Sequence, residues 1–219
     1  MEMGDTMYYR TKKTIIDHLR EQATIYIFMI VLFLTGIIFG AVIVNSMNFI
    51  QKQELFFYVE RFFQQMLEGQ EIQNQALFKE SFFYHMKYLF LMFILGLSVI
   101  GLPLVWVLVY LKGLVVGFSV GFLVNQLGFD GLILASLAIA PQNIIAIPIY
   151  LIAGTLSMLF SLSILYRLFS RRPTDSIFQP FGRYVASFSV LLAGAVFAAL
   201  IEVYISTPSM DRVISSFFG

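Results

Sequence analysis

The sequence predicts an all-α polytopic membrane bundle of about five transmembrane helices, with a half-helix and one amphipathic extracytoplasmic helix. Three observations carry that expectation. Apolar residues fill 59% of the 219 positions and mean hydropathy is +0.83, well above the usage of soluble domains, roughly 45–50%. Several uncharged runs reach about 20 residues, enough to cross a hydrocarbon core of ~30 Å. The segments that join those runs share the basic residues unequally, which is the signature of a fixed orientation.

Residues 1–24 form a charged lead, read as cytoplasmic, and 25–219 a single membrane domain. The first apolar run, Ile25 to Val44, follows a lead that is long for a cleaved signal and has no clear small-x-small cleavage site, so it reads as a retained span. A second span is expected from Tyr88 to Leu111, kinked at Pro103. Between Lys112 and Asn143 the apolar pieces Gly113 to Val124 and Leu132 to Ala140 are each shorter than the ~17 residues a span needs. Two clearer spans follow, Ile144 to Tyr166 and Tyr184 to about Ile205.

Charge parity decides how often 112–143 crosses. With one crossing, Arg10, Lys12, Lys13, Arg20, Lys112, Arg167, Arg171, Arg172 and Arg183 share one side, leaving only Lys52, Arg61, Lys79, Lys87 and Arg212 opposite. The positive-inside rule then gives five crossings, N-terminus cytoplasmic and C-terminus outside. The turn signal at Gly128-Phe129-Asp130-Gly131 would separate a short crossing helix from a piece that dips back as a half-helix.

The segment 45–87 falls outside the cytoplasm in that topology. Within it Leu55, Phe56, Val59, Phe62, Phe63, Met66 and Leu67 share one helical stripe, with Gln53, Glu54, Glu60, Arg61, Gln64, Gln65 and Glu68 on the other side. Such a stripe must be covered by the bilayer surface, by the protein's own spans, or by an extracytoplasmic partner. Small residues mark packing faces. Gly36 and Gly40 are one helical turn apart, as are Gly113, Gly117 and Gly121, a spacing that lets backbones approach closely in lipid, within one chain or in a homodimer.

Chemistry is sparse. A net charge of +1 suggests no nucleic-acid partner, and with no cysteine there is no thiolate site or disulfide. His18 and His85 fall on opposite sides of the membrane, so no metal site, cofactor or catalytic residue is expected. Glu202 reads as interfacial and Asp130 as a turn residue, leaving the interior of spans one, two and four without an ionisable group. The stretch Leu137 to Gly154 carries a polar joint: Pro141 in the first turn of a helix, Gln142 and Asn143 bonding the free end of the half-helix, and Pro148 bending the span. Whether that joint lines a cavity is left open, and a pore or permease subunit moving a solute or lipid remains the alternative function.

Two stretches, "GIIFGAVIVNSMNFIQKQELFFYVERFF" and "APQNIIAIPIYLIAG", resemble the stage II sporulation protein M family of endospore-forming bacteria. The family's step often reads Pro-His-Gly followed by Glu before the second proline. Here Pro141, Gln142, Asn143, Ala146 and Pro148 stand at those places, so the ionisable positions are neutral. The resemblance implies a non-enzymatic scaffold at the sporulation septum, on the mother-cell side. It also implies recruitment of two peptidoglycan-degrading partners, stage II sporulation proteins D and P, for forespore engulfment. Membrane lipid is the other expected contact.

Overall fold

The computed structural model describes residues 22–67, 74–169 and 178–218, and every element among them is helical. Seven α-helices follow in order: α1 Ala23–Ser46, α2 Phe49–Leu67, α3 Asn74–Gly96, α4 Gly101–Leu134, α5 Ala140–Phe169, α6 Phe178–Ile201 and α7 Thr207–Phe218. π-helical turns at Ala135–Ile139 and Glu202–Ser206 join α4 to α5 and α6 to α7. The continuous helical stretches 23–46, 101–169 and 178–215 are long and apolar enough to cross a membrane. Most of the predicted lead, with His18, and the arginines at 171 and 172 lie outside the described residues.

Residue pairings give the directions. Phe33 meets Gly113, Ile37 meets Gly117 and Ala41 meets Gly121, so α1 and α4 run parallel. Tyr88 reaches the Leu108 carbonyl and Tyr84 reaches Lys112, so α3 and α4 run antiparallel. α5 is parallel to α3, through Ser157 to Met92 (2.9 Å) and Ser161 to Ser98 (2.9 Å). α6 returns beside α5, with Tyr184 stacked on Phe160 and Gly194 against Ile149. Five helices thus lie side by side, and the short helices α2 and α7 pack together at one end through Phe63, Val213 and Ile214.

Several boundaries differ from those read in the sequence. Tyr88 to Leu111 is not one kinked span. It is a helical hairpin, α3 and α4, turning through residues 97–100. Glycines permit it: a β-carbon at Gly101 would strike the Leu95 backbone, and one at Gly96 would lie 2.8 Å from Ser157 Cα. Pro103 falls in the first turn of α4, where its missing N–H costs nothing. The segment 45–87 is accordingly not wholly outside, because α3 begins at Asn74 and carries Ser81 and His85 into the buried interior.

The half-helix is also absent. α4 continues to residue 127, and the chain reverses at Gly128, whose φ of +59° and ψ of −126° suit glycine alone. From there a helical path runs back through the π-turn and α5 to Phe169 without a break. Pro141 lies just beyond the π-turn, whose altered hydrogen-bond spacing accommodates a residue that cannot donate. Asn143 Nδ2 donates to the Ile139 carbonyl at 2.8 Å, a bond within one helix and not across a break.

The glycine faces meet each other. β-carbons at Gly36 and Gly40 would strike the Tyr110 and Leu114 carbonyl oxygens, and those at Gly113 and Gly117 the Phe33 and Ile37 carbonyls. Gly121 is looser, 3.2 Å from Ala41 Cα. In lipid, where apolar burial drives little association, such backbone contact supplies the dispersion that holds helices together.

Candidate functional site: a polar cluster inside the bundle

Apolar periodicity fills most of the interior with Met29, Leu89, Met92, Val105, Val109 and their neighbours, yet α3, α4, α5 and the second π-turn converge on polar groups. The centre is Glu202. Its Oε2 accepts a hydrogen bond from the Ser81 hydroxyl and lies 3.6 Å from His85 Nε2. With its amide nitrogen toward the carboxylate, the orientation that satisfies both groups, Gln142 donates to Oε2 at 2.6 Å and Oε1 at 3.1 Å. His85 Nδ1 is hydrogen-bonded to the Tyr150 hydroxyl, and the imidazole is 4% exposed.

Lys112 faces this group from α4. It is 9% exposed, and its Nζ sits 4.9 Å from the ring centre of Tyr84 and 4.8 Å from that of Tyr150. Its hydrogen bond to the Tyr84 hydroxyl is long, 3.4 Å. The two aromatic faces offset part of the desolvation of an ammonium. Contact between Gly36 and Gly113 sets Lys112 level with the middle of the apolar run of α1. On insertion scales a lysine at that depth costs about 3 kcal/mol, so a buried partner network is required.

A cavity of about 220 Å³ lies among these groups, its polar wall formed by Tyr84, His85, Lys112, Gln142, Asn143 and Glu202. Val115, 51% exposed, and Tyr84, 50% exposed, stand on its rim, so the opening is on the flank of the bundle between α3 and α4. No group of three or more His, Cys, Asp or Glu able to hold a metal ion occurs among the described residues.

The sequence alone places five of these residues elsewhere. Lys112 was expected at the cytoplasmic rim, His85 and Glu202 at interfaces, and the Gln142-Asn143 pair at a helix end. The structure brings them together instead, and the polar joint does line a cavity. Tyr84, Tyr150 and Ser81 were missed altogether. Their signal was available: Ser81 and His85 are one turn apart, so both face inward from α3.

The amphipathic stripe is largely turned onto the protein itself. Phe63 is buried and Val59 packs beside it against α7, Leu134 and Ala138. Leu55 and Phe56 are half-buried, Phe62 is exposed, and the side chains of Met66 and Leu67 lie outside the described part. Exposed apolar side chains of α2 are Phe49, Ile50, Phe57, Tyr58 and Phe62. In comparisons with known proteins, the family described as Stage II sporulation protein M matches residues 29–207. Nothing among curated proteins and nothing among solved structures matches the chain.

Proposed function

The chain belongs to the stage II sporulation protein M family, a sporulation-related membrane protein, and on that premise we propose that it is a non-enzymatic scaffold of engulfment. In this reading it recruits peptidoglycan-degrading partners, the stage II sporulation proteins D and P implied by the resemblance, to the septal membrane on the mother-cell side. The observation that carries the reading is the platform at one end of the bundle. There α2 is pinned through Val59 and Phe63 onto α7, and Phe57, Tyr58 and Phe62 are left exposed. The opposite end bears Arg167 and Arg183, which supports a cytoplasmic orientation for it and an outward one for the platform.

Glutamates placed together at Phe57 and Phe62 are expected to abolish recruitment of the hydrolases while the protein still inserts and unfolds at the parent temperature. Normal recruitment by that inserted variant refutes docking on this face. One observation favours a second reading, a pore or permease subunit: the polar cavity at mid-depth. That reading expects solute or lipid flux across vesicles containing the purified protein, and the absence of any flux removes it.

A further inference from the structure

We propose that the cavity between α3, α4 and α5 is a binding site for a small anionic group, a carboxylate or phosphate, held by Lys112. The hydrogen-bond inventory leads there. Both Glu202 oxygens are engaged, by Gln142, with Ser81 adding a bond to Oε2, so the acidic side of the cavity is satisfied within the protein. The surplus is of donors. Lys112 has three N–H groups and one long bond, and His85 Nε2 is buried with no partner nearer than Glu202 Oε2 at 3.6 Å, beyond hydrogen-bond distance. An acceptor-rich occupant supplies what those donors lack.

Size and access narrow the class. A cavity of about 220 Å³, in a measure where a single water needs only about 10–15 Å³, takes a carboxylate or phosphate with its nearest waters. The opening beside Tyr84 and Val115 is on the flank, where the helices meet the bilayer, so the group can arrive as a free ion or on a lipid. Glu202 in the same wall disfavours a high charge on the occupant. This inference rests on the cavity alone and is independent of what docks on the α2 platform.

The test uses the full chain in phosphatidylcholine nanodiscs and follows its unfolding temperature. In one arm, sodium acetate or sodium phosphate replaces sodium gluconate at constant ionic strength. In the other, oleic acid or phosphatidic acid replaces a minor fraction of the lipid. A saturable rise of about 5 °C or more is expected in at least one arm. A rise in the first identifies a free ion as sufficient; a rise only in the second identifies a lipid-borne group. Lys112→Met is expected to lose the response, and Glu202→Gln to reach half-saturation at lower ligand concentration because a competing negative charge is gone. No rise in either arm, an equal rise in Lys112→Met, or an unchanged half-saturation in Glu202→Gln overturns the proposal. The last criterion holds even if Lys112→Met does not fold.

Discussion

Replacing Gly117 by alanine tests whether the α1–α4 seam holds the bundle. A β-carbon there would lie 2.6 Å from Ile37 Cα and 2.7 Å from its carbonyl carbon, and would also strike the carbonyl oxygen. All three are backbone atoms, so no rotamer change relieves the clash. Ordinary carbon contacts of about 3.5–4.0 Å require the helices to part by ~1 Å along the seam, which removes dispersion from the turns above and below. Overpacking of this kind costs about 1–3 kcal/mol, against a gain of up to ~1 kcal/mol from alanine's helix propensity. With the full offset a net loss of up to about 2 kcal/mol remains, which lowers the unfolding temperature by up to roughly 8 °C for a chain of this size. The comparison is Gly182→Ala on α6, where no atom lies within 4 Å of the added carbon. That variant should unfold at or slightly above the parent temperature. Thermal unfolding of the three proteins in one detergent decides the matter. Gly117→Ala unfolding at or above the temperature of Gly182→Ala refutes the seam as a stability determinant.

Three further outcomes follow from the same geometry. Glu202→Ala strips the acceptor from Ser81 and Gln142 and leaves buried His85 Nε2 facing no carboxylate, so a loss of about 2 kcal/mol is expected in denaturant titration; a loss below about 0.5 kcal/mol shows that the carboxylate does not organise the cluster. Gly128→Ala meets no neighbouring atom, so its cost is backbone strain alone, about 1–3 kcal/mol; thermal unfolding unchanged from the parent would mean the reversal does not need a left-handed residue. Because the chain has no cysteine, single cysteines at exposed Ser98, in the α3–α4 turn, and at exposed Ser215, on α7, report sidedness without background. Impermeant maleimide should modify one of them from outside intact cells and the other only after lysis, and modification of both from the same side excludes the five-crossing topology.

Much of the bundle was legible because its signals are local. Gly36 and Gly40 recur at the spacing that puts both on one face, and that face meets the equally spaced Gly113 and Gly117. The reversal at Gly128 was marked by a Gly-Phe-Asp-Gly run. Charge parity predicts five crossings and five helices lie side by side, but Lys112 and Lys87, which parity counts at helix ends, stand within α4 and α3. Boundaries depend on finer information. Pro141 does fall in the first turn of α5, but a π-turn runs into that turn without a break, so it is not a free helix start, and hydropathy cannot tell the two apart.

The largest boundary difference and the missed site have one cause. Tyr88 to Leu111 is uniformly apolar, so nothing in its hydropathy marks a turn; the marks are Gly96 and Gly101, whose role is to let backbones touch. Once the chain turns between them, everything after it shifts by about half a span. Lys112 then moves from the end of a helix to its twelfth residue, level with the middle of α1. His85, likewise, passes from the base of a span to the middle of α3. The same displacement turns two rim charges into interior ones and gives Glu202 and Gln142 their partners. A rim lysine needs only water, whereas an interior one needs ring faces, hydroxyls and an acceptor. Tyr84 and Tyr150 supply the first two, and the cavity beside Lys112 leaves room for the third.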